Sequence, residues 1–117
     1  MDRVKHFFCF IFVLVLVGCS DTKQLSPLST DDTILAFGDS LTYGVGAKNG
    51  KTYPEVLSEL TGIQVINAGV SGETTSKGIL RFSDVLDEHQ PQLIILLEGG
   101  NDVLRNHPPS QTKSNLA

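Results

Sequence analysis

One short stretch of this sequence, Gly38 to Thr52, contains two residue patterns that could carry chemistry. Its front, Gly38-Asp39-Ser40-Leu41, follows an apolar run and could present a nucleophilic serine on a tight turn. Its back closes in Gly50-Lys51-Thr52, which is similar to the end of a loop that binds phosphate through backbone N–H groups. Ser40 could equally be the N-cap of a helix, a position where serine is common.

The phosphate-binding interpretation fails on spacing. The motif requires a glycine five places before the glycine that precedes its lysine. Counting back from Gly50, that place is held by Val45, and Gly44 and Gly46 lie on either side of it. Thr52 has a sufficient role as the cap of the helix that follows. The sequence therefore does not predict a nucleotide site here.

Three apolar runs, each stopped by a polar segment that contains glycine, predict the strands that position Ser40. Runs that are apolar on both faces are typical of parallel strands covered by helices. Ligands of open α/β sheets bind outside the carboxyl ends of such strands, so the three polar segments should converge on one crevice. The runs are Ile34–Phe37, Ile63–Ala68 and Leu93–Leu97, and the segments after them are Gly38–Ser40, Gly69–Gly72 and Gly99–Asp102.

Two segments of helical period separate these runs. The first begins at a capping-box pattern, Thr52-x-x-Glu55, and ends at Gly62. The second runs from about Glu73 to His89. The resulting β-α-β-α-β order predicts an α/β fold with a doubly wound parallel sheet. The residues expected on the buried helix faces are Val56, Leu57 and Leu60 in the first segment, and Ile79, Phe82, Val85 and Leu86 in the second.

The first residues are typical of an exported protein. Arg3 and Lys5 precede an eleven-residue apolar run, Phe7–Val17, which is shorter than the roughly 20 residues that span a bilayer. The run ends in Leu16-Val17-Gly18-Cys19, which resembles the bacterial lipobox. This resemblance implies cleavage before Cys19, lipid on that cysteine and, with Ser20 next, sorting towards the outer membrane. The alternative is a cysteine that merely ends an apolar run.

The expected organisation is a signal peptide over 1–18, a polar tether over 19–32 and the N-terminal part of a domain over 33–117. From Cys19 onward the sequence has seven basic and twelve acidic residues, which gives a net charge of −5. A nucleic-acid ligand is not expected, because binders need a basic face. No second cysteine remains after cleavage, which excludes a disulfide framework and a cysteine metal site. Lipid rather than charge would hold such a chain to a membrane.

Three ordered motifs, FGDSLTYG, INAGVSGETT and LLEGGND, resemble the first three blocks of the SGNH (GDSL-type) hydrolases. The resemblance is greatest to the bacterial arylesterase, lysophospholipase and thioesterase branch, and covers Thr33 to about Pro109. It implies a three-layer, flavodoxin-like sheet and a serine hydrolase that needs neither metal nor cofactor. Its substrate would be a small-molecule ester or lipid, and the protein is expected to be a monomer.

Residue by residue, the resemblance makes Ser40 the nucleophile. The N–H of Ser40, the N–H of Gly72 and the side-chain amide of Asn101 match the three donors of an oxyanion hole. Gly72 would have to be small where backbone approaches the substrate. Asn101 could instead be a loop asparagine that bonds its own backbone. Asp39, Glu98 and Asp102 are expected to orient turns or cap helices.

The base that such a serine needs is missing from this sequence. The family places a histidine three residues after an aspartate, and no Asp-x-x-His occurs among the 117 residues. The histidines are His6 in the leader, His89 at a helix end and His107 before two prolines. His89 is expected to pair with the helix dipole, and His107 is a weak candidate for the base.

The family domain is roughly twice this length, with two further strands. The sequence is therefore expected to be the N-terminal portion of an esterase, inactive and poorly folded by itself. The alternative is a non-catalytic lipoprotein remnant of such an enzyme. Acyl length, leaving group and the choice between ester, thioester and sugar acetate cannot be read from these residues.

Overall fold

The structure, a computed structural model, describes residues 25–117. The predicted signal peptide, the candidate lipidation site Cys19 and the start of the tether lie outside this range. Among the residues described, no helix combines the length and the apolar character needed to cross a membrane.

The three predicted strands and the two predicted helices occur in the predicted order, with three further short helices after the first and third strands. Each predicted strand is present within one residue of its expected bounds, and the second predicted helix begins two residues later than expected. The elements of the described range are β1 (Thr33–Gly38), α1 (Ser40–Tyr43), α2 (Tyr53–Thr61), β2 (Gln64–Gly69), α3 (Thr75–His89), β3 (Leu93–Leu97), α4 (Gly100–Leu104) and α5 (Pro109–Asn115).

The three strands form one parallel sheet in the order β2-β1-β3. The chain passes from β1 to β2 and then crosses to the other side of β1, which is the order of a doubly wound sheet. Gly38 at the end of β1 is paired with Gly69 of β2 and with Leu97 of β3. The carboxyl ends of all three strands therefore meet at one edge, and the predicted fold class is confirmed.

The core of the described domain is centred on β1. Its residues Ile34 to Phe37 are at most 3% exposed, because a strand lies on either side of them. The expectation that all three strands are covered is wrong for β3, where Ile94, Leu96 and Leu97 are 37–47% exposed. The reason is that β3 packs mainly against β1, whereas two helices pack on β2.

The ends of α2 follow the predicted signals. The backbone N–H of Glu55 donates to Thr52 Oγ1, and the Glu55 carboxylate accepts from the N–H of Thr52 at 3.0 Å. Gly62 ends the helix with φ +71°. The predicted apolar face is wrong at Leu60, which is 80% exposed, because α2 packs on the edge strand β2. Ile79 of α3, which was also predicted on a buried face, is 48% exposed.

Candidate active site

Ser40 lies at the first residue of α1, directly after the buried end of β1. The N-cap is Asp39, whose Oδ1 accepts from the N–H of Leu41 at 3.0 Å. The alternative in which Ser40 is the cap is therefore not what the structure shows. Ser40 is half-buried, and neither its hydroxyl nor its N–H has a hydrogen-bond partner among residues 25–117. Both groups remain available to a ligand.

The turn that carries Ser40 packs directly on the end of β2. A Cβ added to Gly69 would lie 2.6 Å from the backbone carbonyl carbon of Thr42, so only glycine allows this approach. Thr42 is fully buried, and its hydroxyl lies 3.1 Å from that of Tyr53. This packing fixes α1, and with it Ser40, relative to the sheet.

Gly72 lies in the loop after β2 with φ +77°, a conformation that strongly favours glycine. A Cβ built there would meet no described atom closer than 3.6 Å, a guanidinium nitrogen of Arg105. The backbone conformation thus favours glycine at this position. The N–H of Gly72 has no acceptor within the described part of the chain.

Asn101 lies in α4 and reaches across to the loop after β2. Its Nδ2 donates to the carbonyl oxygen of Glu73 at 2.8 Å. The alternative of an asparagine that bonds its own backbone is therefore not observed. A side-chain amide has two N–H donors, so this bond orients Asn101 and leaves one donor free.

Two backbone hydrogen bonds and one close approach bring the three predicted segments together at the sheet edge. The N–H of Asp39 donates to the carbonyl of Leu97 at 3.3 Å, and the N–H of Val70 donates to the carbonyl of Gly38 at 2.9 Å. A Cβ on Gly100 would lie 3.2 Å from Asp39 Oδ2. The structure thus places the segments of Ser40, Gly72 and Asn101 side by side, as the strand pattern predicts.

Asp102 joins the loops beneath this edge and does not face it. It is 1% exposed and accepts from the N–H of Thr75 at 2.9 Å, the hydroxyl of Thr75 at 2.6 Å and the hydroxyl of Thr112 at 3.3 Å. Burial alone would raise the pKa of Asp102, but these bonds and nearby His107 outweigh it and lower the pKa. The expected structural role of Asp102 agrees with this geometry.

Each of the two histidines in the described range lies near an acidic residue. His107 donates its backbone N–H to the carbonyl of Asp102 at 2.8 Å, and its Nδ1 lies 3.6 Å from that carboxylate. His89 is in the last turn of α3, near Glu88, as its predicted dipole role requires. The structure shows no hydrogen bond between either histidine and Ser40.

Glu98, expected to orient a turn, has an environment that the sequence did not indicate. Both of its carboxyl oxygens are buried, and no described group donates a hydrogen bond to them. Burial, followed by the neighbouring carboxylates of Glu73 and Asp39, raises the pKa of Glu98 to about 7. A protonated Glu98 can donate one hydrogen bond to Glu73, which gives a partner to one of its two oxygens.

Glu73 is in turn held by Arg81 of α3. The Arg81 Nε lies 2.8 Å from a carboxylate oxygen of Glu73, and its Nη2 donates to the carbonyl of Ala68 at 2.9 Å. The same guanidinium lies 3.9 Å from the ring centroid of Phe37, in cation–π geometry. Arg81 therefore ties the end of β2 and the loop of Gly72 to the central strand. Neither periodicity nor spacing indicates this pairing.

A family model described as the GDSL-like Lipase/Acylhydrolase family matches residues 36–117. The arylesterase of Vibrio mimicus is 36% identical over 110 residues, which cover 89% of this chain and 52% of that protein. The chain thus spans about half the length of this relative. A lipoprotein of Bacillus subtilis, YqeF, is 31% identical over 109 residues, covering 85% of this chain and 41% of that protein.

Among solved structures, AlinE4, described as an SGNH-hydrolase family esterase, superposes with a TM-score of 0.68 at 42% identity. The match covers 77% of this chain and 51% of AlinE4. Sequence and fold agree over the strands and loops that carry Ser40, Gly72 and Asn101. The chain belongs to the GDSL-like lipase/acylhydrolase family, in its SGNH branch of esterases.

Proposed function

We propose that the complete protein is a serine esterase in which Ser40 is the nucleophile and Gly72 and Asn101 complete the oxyanion hole. The observation that carries this proposal is the sheet edge. There a serine hydroxyl and two backbone N–H groups, which have no partner among residues 25–117, lie close to an oriented asparagine amide. The substrates are carboxylic esters or thioesters.

In this reaction a base takes the hydroxyl proton of Ser40 while Oγ attacks the acyl carbonyl carbon. The carbonyl π electrons move to oxygen, which is stabilised by N–H donors from Ser40, Gly72 and Asn101. Collapse expels the alcohol or thiol, which receives the proton from the base, and leaves an acyl-serine. Water then repeats the sequence and releases the acid. Donors fixed before the reaction stabilise this charge without reorganisation.

The base of this reaction is proposed to lie outside these 117 residues, in an Asp-x-x-His block. This follows from the absence of that spacing in the sequence and from the position of His107 beside Asp102. The competing proposal is a non-catalytic remnant. An in-frame Asp-x-x-His in DNA beyond the codon of Ala117 would support the enzyme, and a stop codon there would support the remnant.

The nucleophile is tested by hydrolysis of p-nitrophenyl butyrate with the natural full-length gene product. The Ser40→Ala variant should lose activity to near background, since the acyl-serine cannot form. Ser83→Ala, at an exposed position of α3, serves as the matched control and should keep full turnover. Equal turnover by the Ser40→Ala and natural proteins would exclude Ser40 as the nucleophile.

We further propose that lipid on Cys19 anchors the protein to the bacterial cell envelope, with the periplasmic face of the outer membrane preferred. The basis is the Leu-Val-Gly-Cys pattern after an apolar run, and the relative YqeF is itself called a lipoprotein. Radiolabelled palmitate should label the natural protein and the Cys9→Ser control, but not Cys19→Ser. Labelling of the Cys19→Ser variant would contradict this anchor.

A further inference from the structure

Arg105 bonds to the loop that carries the Gly72 donor, and neither the sequence pattern nor the comparisons give this residue a role. Its Nη2 donates to the carbonyl oxygen of Gly72 at 2.9 Å. Arg105 follows Asn101 by four residues, which is one helical turn, and its N–H donates to the carbonyl of Asn101 at 3.0 Å. The two side chains therefore extend from the same side of α4.

These two side chains hold consecutive carbonyls of the loop. Asn101 bonds the carbonyl of Glu73 at 2.8 Å and Arg105 bonds the carbonyl of Gly72. The peptide between Gly72 and Glu73 is also held at its other end, because its N–H donates to the carbonyl of Val70 at 3.2 Å. This peptide plane is thus fixed on both sides, by Arg105 and by Val70.

Fixing that peptide plane matters because glycine has more backbone conformational freedom than any other residue type. Gly72 has φ +77° and no side chain to restrict it, so its own N–H could point in several directions. With the following peptide held, the remaining freedom of Gly72 is small. An oxyanion donor contributes to catalysis only when it is aimed in advance at the developing charge.

We propose that Arg105 is a positioning residue for the oxyanion hole, which holds the N–H of Gly72 in its productive direction by binding the carbonyl of the same residue. This inference rests on the proposed esterase function. Arg105 acts through Gly72, and its contribution appears as the oxyanion develops. We therefore expect its loss to lower kcat and to leave KM nearly unchanged.

The test compares Arg105→Met and Arg105→Lys in the natural full-length product with p-nitrophenyl butyrate. Methionine has no donor, and kcat should fall roughly ten- to a hundredfold, the range of a weakened oxyanion donor. Lysine can donate one bond over a similar reach and should restore part of this loss. Added methylguanidinium should raise the kcat of an Arg105→Ala variant. Lys77→Ala, which removes an exposed charge from α3, should change nothing.

A second readout separates positioning from general damage. A phenylboronic acid inhibitor forms a tetrahedral serine adduct that occupies the oxyanion hole, so its Ki should rise with the loss in kcat. The melting temperature should stay close to that of the natural protein, because Arg105 is exposed. An Arg105→Met variant with unchanged kcat, or with raised KM alone, would overturn the proposal. Ser40→Ala run in parallel shows whether the esterase function itself has failed.

Discussion

Glu98 is the described residue whose chemistry departs furthest from what its type suggests. An isolated carboxylate with two buried oxygens and no donor would be costly to keep charged. It faces the carboxylates of Glu73 and Asp39, and the nearby cation Arg81 is already bound to Glu73. A carboxylic acid that stays neutral close to pH 7 is the arrangement with the lowest cost here.

This environment predicts a pH-dependent stability. The pKa of Glu98 in the folded protein, about 7, lies above the ordinary glutamate pKa of 4.5. Between these values the unfolded chain releases the proton and the folded chain keeps it, so stability falls as pH rises through this window and then levels off. The Glu98→Gln variant should flatten this part of the curve and raise the melting temperature at pH 8.

The measurement is thermal unfolding of the full-length protein at intervals from pH 4.5 to 8. Glu88→Gln is the matched control, because the Glu88 side chain is 72% exposed and its loss should leave the slope unchanged. An unaltered slope in Glu98→Gln would contradict the neutral form of Glu98.

At the scale of elements, the capping box at the start of α2 gives a prediction that does not depend on activity. Thr52→Ala removes the side-chain acceptor of the capping box and should lower the free energy of unfolding by about 1 kcal/mol. Thr52→Ser keeps the hydroxyl and should lose much less. Urea unfolding of the full-length protein measures both variants, and equal losses would show that the cap is not the cause.

Sequence patterns predicted the elements well because each strand and helix carries local signals at its ends. The stops at Gly38 and Gly62 and the run at Leu93–Leu97 depend only on neighbouring residues. Exposure was predicted less well, because Leu60 and Ile79 lie on apolar faces wider than the layer that covers them. Periodicity shows which residues share a face, but not how much of that face is covered.

The candidate site likewise has residues that the sequence predicted and supporting contacts that it did not. Strand topology predicted that the segments of Ser40, Gly72 and Asn101 meet at one edge, and the family resemblance selected these residues within them. The supporting contacts could not be predicted. Arg81 contacts Glu73 and Arg105 contacts Gly72 through long side chains that reach residues distant in the sequence. The four-residue spacing between Asn101 and Arg105 indicates that the two side chains share a face, but it does not indicate the contact with Gly72.

At the scale of the whole molecule, the free side of β3 is the main weakness of the described domain. An exposed apolar strand edge is a template for pairing with another chain. Residues 20–117, produced without the apolar leader, are therefore expected to self-associate. Leu96→Lys, at a β3 residue that is 47% exposed, should reduce this association.

Size-exclusion chromatography over a range of concentrations is the measurement. Leu80→Lys makes the same chemical change on α3, at a side chain that is 80% exposed and belongs to no strand. It should have a smaller effect than Leu96→Lys. Equal effects would indicate general surface hydrophobicity as the cause, and a monomer at all concentrations would contradict the expectation.

The strand order β2-β1-β3 also has a consequence for the time at which the core can form during synthesis. β1 is the first strand to emerge from the ribosome. Its second neighbour in the sheet is β3, where Leu93 pairs with Ile34, and β3 emerges only after β2 and α3. Until then the most buried strand of the domain has an open side. The strand made earliest is thus the last to be enclosed, and its apolar residues stay accessible to chaperones for most of translation.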